Sequence, residues 1–265
     1  FSNMPRKPIS HHPVVAMLNL IENDHTIEAD VLLCLGDLGD KADEQGIISA
    51  WSFTEEIRKR LKASIKIGIP GNHDINSRKE NGKEAFSFIK DFHENYPTLD
   101  EQLNAQFWSN GFCVQTCVDS LFLLINTVHD HDDAKKAQKA NIRNVAIEDI
   151  RSELSRDKYS KIKYKICMLH HHPIKHSNIL NYNDTDSLEK GDELIDLLNV
   201  QNFDIVVHGH KHQPRIVEYN GMPILASGSF SSFANLQASG FHTMFHIVEL
   251  SKEKLKAKGF IFRGR

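Results

Sequence analysis

Cysteine is scarce in this sequence, and long apolar runs are missing from it. Only 4 of the 265 residues are cysteines. They are scattered through apolar segments, which excludes a disulfide framework and a cysteine-based zinc knuckle. No stretch has the roughly 18 consecutive apolar residues of a membrane-spanning helix, and Phe1 to Pro13 carries prolines and histidines where a signal peptide would be apolar. We therefore expect a soluble, cytoplasmic protein that does not engage a membrane.

The sequence also lacks an excess of charge of either sign. The formal net charge is -3, the pI is about 6.6, and no basic tract stands out. A nuclease that acts on polymers usually presents a positive groove, so nucleic acid is an alternative partner that the charge does not indicate. Histidine, by contrast, is abundant, with 16 residues, many of them adjacent in sequence. This clustering is the first indication of function.

Short apolar runs alternate with segments of helical periodicity, which are Val14 to Ile21, Ile47 to Leu61, Phe86 to Phe92, Ile142 to Leu154 and Leu194 to Leu198. Four runs are nearly continuous in apolar character, as expected for strands that are covered on both faces. They are Val31 to Leu35, Ile65 to Ile69, Tyr164 to Leu169 and Phe203 to Val207. Later pairs of runs around Asp119-Ser120, Asn220-Gly221 and residues 251–254 predict antiparallel hairpins.

This pattern predicts an α/β fold, a two-sheet β-sandwich flanked by helices. No repeat, low-complexity tract or linker divides the chain, so we expect one domain over residues 1–265. A segment at about 76–110 is expected to be an insertion that roofs the active site.

Residues with metal-ligand chemistry follow each of the four buried runs. The turns are Gly36-Asp37-Leu38-Gly39-Asp40, Gly71-Asn72-His73-Asp74, His170-His171-His172-Pro173 and Gly209-His210-Lys211-His212. The carboxyl ends of strands in an open α/β sheet meet at one crevice, so these turns should converge. Imidazole nitrogen with carboxylate or amide oxygen suits Mn, Fe or Zn. A carboxylate such as that of Asp37 can bridge two such cations, a pair that clamps the attacking and leaving oxygens at phosphorus.

These blocks resemble those of the calcineurin-like metallophosphoesterase superfamily, over residues from about 29 to 230. The resemblance implies hydrolysis of a phosphoester by a hydroxide that bridges two divalent or trivalent metal ions. It further implies that Asp37 bridges the metals, that Asn72, His171 and His210 hold the second metal, and that His212 holds the first. His73 resembles the histidine that contacts the phosphate and assists the leaving oxygen, with Asp74 orienting its ring.

Three further polar residues are expected around this centre. Asp40, His170 and His208 are placed behind the ligands or on the substrate side. His170 is also the alternative to His171 as a ligand, because successive strand-end side chains point in alternating directions. We favour His171 because it lies two positions before Pro173, in a turn that resembles the family's His-x-Pro.

One block of the family has no counterpart in this sequence. The family opens with an Asp-x-His block on its first strand, and without it the first metal has only Asp37 and His212, fewer than the three protein ligands usual in a catalytic site. We therefore expect an Asp-x-His strand upstream of Phe1, with His11 and His12 as less favoured substitutes. Without any such ligands, the chain would be a degenerate binding or scaffold module.

The absence of basic tracts favours a phosphodiester substrate of the small or cyclic nucleotide type over a nucleic-acid polymer. A nuclease or a phosphomonoesterase of the same superfamily is the alternative. A protein serine/threonine phosphatase is disfavoured, because Lys41 follows Asp40 and Asp74 follows His73 where those enzymes resemble Asp-Arg-Gly and Asn-His-Glu. The loop from His129 to Asp133 is interpreted as a solvated segment, or else as part of the substrate rim.

Overall fold

The computed structural model describes residues 12–92, 95–143, 146–175, 184, 186–231, 243–251 and 253–262. Helices and strands alternate along this part of the chain. The helices are α1 (Pro13–Asn23), α2 (Glu44–Arg60), α3 (Ser87–Asp91), α4 (Glu101–Asn110), α5 (Ala146–Leu154) and α6 (Gly191–Val200). The strands are β1 (Val31–Cys34), β2 (Ile65–Gly68), β3 (Phe112–Cys117), β4 (Ser120–Ile125), β5 (Tyr164–Leu169), β6 (Ile205–His208), β7 (Arg215–Tyr219), β8 (Met222–Ala226), β9 (Thr243–Leu250) and β10 (Leu255–Phe262).

A six-stranded mixed sheet forms the centre of the fold, in the order β3-β4-β5-β6-β8-β7. Its inner neighbours β4, β5, β6 and β8 pair in parallel, and the edge strands β3 and β7 are antiparallel. Two smaller sheets accompany it, the parallel pair β1-β2 and the antiparallel pair β9-β10. All four predicted buried strands and all three predicted hairpins are therefore present.

The side chains of β4 show how the layers are built. Leu121, Leu123 and Ile125 belong to an apolar cluster that contains residues of α5 and α6. Phe122 and Leu124 belong to a second cluster, into which β1, β2, β9 and β10 also pack. Since alternate residues of a strand point to opposite faces, the sheet is covered by helices on one side and by the small sheets on the other. The predicted two-sheet α/β sandwich is confirmed.

The helices α1 and α2 cover the outer face of the small sheets. Met17, Ile21 and Ile57 form a further cluster, against which Phe245 and Phe260 pack. No helix in the described part of the chain is both long and apolar enough to span a bilayer.

The segment between β2 and β3 has its own apolar contacts. Ile89, Phe92 and Tyr96 share a cluster with Trp51 of α2, and the rings of Trp51 and Tyr96 meet edge to face with their centroids 5.0 Å apart. The helix α4 in this segment is not among the helices that periodicity predicts. It begins where the Asp100 carboxylate accepts hydrogen bonds from the first backbone amides and ends at Gly111, at φ 82°.

Candidate metal centre

The turns that follow β1, β2 and β5 pack directly against one another. Gly36 has a φ of +90°, and a Cβ atom there would lie 2.5 Å from Nδ1 of His170 and 2.6 Å from the backbone nitrogen of Gly71. A Cβ atom on Gly71 would in turn lie 2.6 Å from Cε1 of His170 and would collide with Asp37. Glycine at these two positions therefore permits the close approach that brings the turns together.

Three of the predicted ligands have left-handed backbone conformations. The φ angles are 56° at Asp37, 68° at His210 and 56° at His212. A non-glycine residue in this region carries a conformational cost of about 1–3 kcal/mol, and such residues cluster at functional sites. The tertiary structure therefore holds these three side chains in place at some expense of stability.

Four ligand side chains meet at one point. Nε2 of His170 lies 3.3 Å from Oδ2 of Asp37 and 3.2 Å from Oδ1 of Asn72. Nδ1 of His210 lies 3.0 Å from the same Asn72 oxygen. The predicted convergence of the four strand-end turns is thus present, with atoms from each turn within hydrogen-bonding distance.

The outer contacts of the two imidazoles determine which nitrogens face inward as electron-pair donors. Nδ1 of His170 donates to the carbonyl oxygen of Leu35 at 2.6 Å, and Nε2 of His210 donates to the Asp186 carboxylate at 2.8 Å. Both partners can only accept. In the neutral rings, the inward nitrogens therefore carry lone pairs, which point at the oxygens of Asp37 and Asn72. A donor set of two imidazoles, one amide and one carboxylate fits a Mn, Fe or Zn ion.

The electrostatics of this centre follow from the same contacts. Burial opposes ionisation of Asp37, but the charge of His170 and its hydrogen bond hold the pKa of Asp37 below its usual range. Burial likewise opposes protonation of His170, yet the Asp37 carboxylate raises the pKa of His170. A proton and a metal cation would therefore compete for this pair of side chains.

His171 lies beside this cluster. Its Nδ1 is 2.8 Å from the hydroxyl oxygen of Thr127, and its ring centroid is 4.5 Å from that of His210. Ligand atoms of His170, His171 and His210 all lie within 4.8 Å of one another. Burial, and then the nearby His210, hold the pKa of His171 well below its ordinary value.

His73 and its neighbours differ from the prediction in one respect. Nδ1 of His73 lies 3.0 Å from Oδ1 of Asp40. Asp74 is 2% exposed, and its two oxygens accept the backbone N–H groups of Gly39 and Gly71, each at 2.9 Å. The prediction that Asp74 orients the ring of His73 is therefore wrong: Asp74 joins two turns, and Asp40 is the carboxylate on the histidine.

His212, His208 and His12 are the other predicted histidines in the part of the chain that the structure describes. His212 interacts electrostatically with the Asp37 carboxylate. Burial lowers the pKa of His212 below its ordinary value. His208 is buried, with its ring 6.2 Å from that of His172. The ring of His12 lies 6.0 Å from that of Phe53 on α2, and His11 lies outside the described residues.

Two groups of residues near the centre were missed by sequence reasoning or assigned to solvent. Lys211 forms ion pairs with Asp184 and Asp186, and these two carboxylates accept hydrogen bonds from His172 and His210. In the other group, His131 is fully buried. Its Nε2 donates to the carbonyl of Lys139 at 2.9 Å, and its ring lies 5.4 Å from that of His171. A carboxylate such as Asp186 gives no signal in the sequence, because it belongs to no strand-end turn.

Solved structures with a similar fold include two phosphatases. The structure is similar to that of a dimetal phosphatase from Danio rerio, with a TM-score of 0.51 and 12% identity, over 82% of this chain and 76% of that one. It is also similar to a purple acid phosphatase from yellow lupin (Lupinus luteus) seeds, with a TM-score of 0.52 and 17% identity, over 82% of this chain and 39% of that one. At these identities, the likeness shows the fold alone.

Sequence comparison shows the family. No curated protein sequence matches the chain significantly, but the sequence profile described as "Calcineurin-like phosphoesterase" matches residues 9–214. That range covers most of the chain and all four ligand-bearing turns. Members of the family are metal-dependent hydrolases of phosphoester bonds, and the side chains gathered here have the donor chemistry that such metals need. The chain belongs to the calcineurin-like phosphoesterase family.

Proposed function

We propose that this phosphoesterase hydrolyses a phosphodiester of the small or cyclic nucleotide type, with two Mn, Fe or Zn ions. The observation that carries the proposal is the convergence of Asp37, Asn72, His170 and His210 on one point, with the paired His73 and Asp40 on the adjoining turns.

The second metal is assigned to these four converging side chains. His170 takes the place that the sequence favoured for His171, because its Nε2 faces both Asp37 and Asn72. The first metal would be held by Asp37 and His212.

His73 is assigned the proton transfer. When bound, the metal pair would acidify a water molecule and clamp the oxygens of the phosphoryl group. Since Nδ1 of His73 is engaged by Asp40, Nε2 is the nitrogen left to protonate the leaving oxygen. The Asp40 carboxylate accepts from Nδ1 and so fixes the orientation of the ring.

The charges around the centre favour a diester, which is a monoanion, over a monoester, which approaches a dianion. Lys211, the lysine nearest His210 in sequence, is committed to Asp184 and Asp186 at 2.9 and 2.7 Å. It is therefore less able to neutralise a second phosphate charge.

A cavity of about 330 Å³ lies between the start of α2 and the insertion. Its wall includes Lys41, Asp74, Asn76, Lys83 and Phe88, and Ala42 in the same wall donates its N–H to the carbonyl of His73 at 2.7 Å. This volume is in the range of small-molecule sites. None of the candidate metal ligands lines this cavity, so its volume does not set the size of the substrate at the metal centre.

The test is hydrolysis of bis(p-nitrophenyl) phosphate and of p-nitrophenyl phosphate by the full-length protein, loaded with Mn²⁺. We expect a larger kcat/KM for the diester. We also expect His73→Ala to lower kcat by about 10² to 10⁴-fold, the usual contribution of a positioned acid.

His25→Ala is the matched control, because His25 is exposed and precedes β1. It is therefore on the amino-terminal side of that strand, whereas the centre follows the carboxyl end. Faster monoester turnover would overturn the substrate assignment while leaving the metal centre intact. Absence of turnover on both substrates, together with absence of bound metal, would identify a degenerate binding module.

A further inference from the structure

We propose that Asp186 is a positioning residue for His210, which it holds in the tautomer and orientation that the second metal requires. The proposal rests on the function proposed above. Asp186 is outside the family's strand-end blocks: it precedes α6, 24 residues before His210 in the chain. Its carboxylate is nevertheless the group that contacts the outer nitrogen of the ring.

The first step of the argument is the geometry of the ring. Nε2 of His210 lies 2.8 Å from Oδ2 of Asp186, and Nδ1 on the other side lies 3.0 Å from Oδ1 of Asn72. A carboxylate accepts and cannot donate, so the hydrogen of the neutral ring lies on Nε2. Nδ1 is then the bare nitrogen, and it points at the place where Asp37, Asn72 and His170 meet.

The second step is that His210 needs such a contact. It lies in the turn after β6 at a φ of 68°, where no regular secondary structure restrains its side chain. The neighbouring histidines have neutral partners at their outer nitrogens: the Leu35 carbonyl for His170 and the Thr127 hydroxyl for His171. His210 has an anion instead, which makes its ring a stronger electron-pair donor toward a metal.

The third step is that Asp186 is itself restrained. Its Oδ1 lies 2.7 Å from Nζ of Lys211, which is also 2.9 Å from Oδ1 of Asp184. That same Asp184 oxygen lies 2.9 Å from Nε2 of His172. The ion pairs therefore link the turn after β5 to the turn after β6 through the segment that holds both aspartates.

The contacts of Lys211 argue against a separate metal ion at Asp184 and Asp186. Ligand atoms of His172, Asp184 and Asp186 lie within 4.8 Å of one another, as a metal site would require. The Lys211 ammonium already contacts both carboxylates, so their charge is balanced by the protein. The ion pairs with Lys211 therefore hold the Asp186 carboxylate in place against His210.

Two measurements on Asp186→Asn test the proposal. The first is titration of the metal-free protein with Co²⁺, which follows affinity by calorimetry and coordination by visible absorption. We expect binding at one of the two metal positions to weaken by about 10 to 100-fold, the usual effect of losing an outer partner of a ligand, with an altered absorption band. Asp186→Glu should recover part of the affinity.

The second measurement needs no metal. Long-range ¹H–¹⁵N NMR spectra report which nitrogen of His210 carries the hydrogen. We expect the Nε2–H form in the wild type and a mixture of forms in Asp186→Asn, because an amide can donate as well as accept. Asp192→Asn is the matched control, since Asp192 is an exposed residue of α6 that bonds Tyr219 rather than a histidine.

The outcomes are distinct. Unchanged Co²⁺ affinity and an unchanged tautomer in Asp186→Asn would overturn the positioning role. A wild type that takes up no Co²⁺ would overturn the proposed metal function, and the NMR spectra would still show whether Asp186 sets the tautomer. Unchanged circular dichroism and thermal unfolding in the variant exclude a general loss of structure as the cause.

Discussion

Nδ1 of His73 lies 3.0 Å from the carboxylate of Asp40, not against that of its sequence neighbour Asp74. The two aspartates therefore have different tasks. Asp40 contacts a solvent-accessible histidine beside the candidate centre, and Asp74 is buried between two turns. Substitution of each should change a different property of the protein.

Asp40→Asn should lower kcat with little effect on metal content. The amide keeps the shape of the carboxylate, but it can donate as well as accept and so holds the His73 ring less strictly. The loss should be part of the roughly 10² to 10⁴-fold expected for removing the histidine. Steady-state kinetics with metal analysis checks this. Equal losses of kcat and of bound metal would show that Asp40 supports the metals instead.

Asp74→Ala should destabilise the fold. It leaves the N–H groups of Gly39 and Gly71 without their acceptors, and a buried donor left unsatisfied costs about 1–3 kcal/mol. Urea denaturation measures the free energy of unfolding. Asp196→Ala on the exposed face of α6 is the control and should change that free energy by less than about 0.5 kcal/mol.

Gly36→Ala and Gly221→Ala form a matched pair. Both glycines have positive φ angles, 90° and 81°, but a Cβ atom meets His170 and Gly71 at position 36 and nothing within 4 Å at position 221. Both substitutions place an alanine in a left-handed backbone conformation, at a cost of about 1–2 kcal/mol. We expect only Gly36→Ala to lose metal affinity as well, as measured by calorimetry. Similar affinities in the two variants would contradict the role of Gly36 in packing the turns.

His170→Ala should abolish binding of one metal equivalent, whereas His171→Ala should retain both equivalents. The reason is that Nε2 of His170 faces Asp37 and Asn72, and His171 is engaged by Thr127. Metal analysis after gel filtration distinguishes the two. The reverse pattern would restore the assignment that the sequence favoured.

The pH dependence of stability should contain a contribution from His246 in β9. Burial lowers the pKa of His246 below its usual value, so the folded state favours the neutral ring. The contribution of His246 to the free energy of unfolding is present above its unfolded-state pKa of about 6.5. That contribution is lost as the pH falls through its folded-state pKa. His246→Asn should therefore lose less stability than the wild type on acidification. The comparison is urea denaturation at about pH 8 and pH 5, with the exposed His25→Asn as the control.

Much of the fold was predictable because its signals are local. The buried runs around Leu33, Ile67 and Cys167 become strands, and the turn signal at Asn220-Gly221 becomes the hairpin of β7 and β8. The helix α4 was missed because its apolar residues, such as Phe107, are too few to stand out as a periodic face. The helix α4 begins after the N-cap residue Asp100 and ends before the C-cap residue Gly111.

The amino-acid sequence by itself determined which turns carry the candidate ligands, and that those side chains offer imidazole, carboxylate and amide groups. Motif and strand are adjacent in the chain, so this information is local. Tertiary structure decided which histidine after β5 faces Asp37, which carboxylate contacts His73, and that Asp186 meets His210. Those contacts join residues from different turns and depend on side-chain direction, which is set only when the strands and their turns pack together.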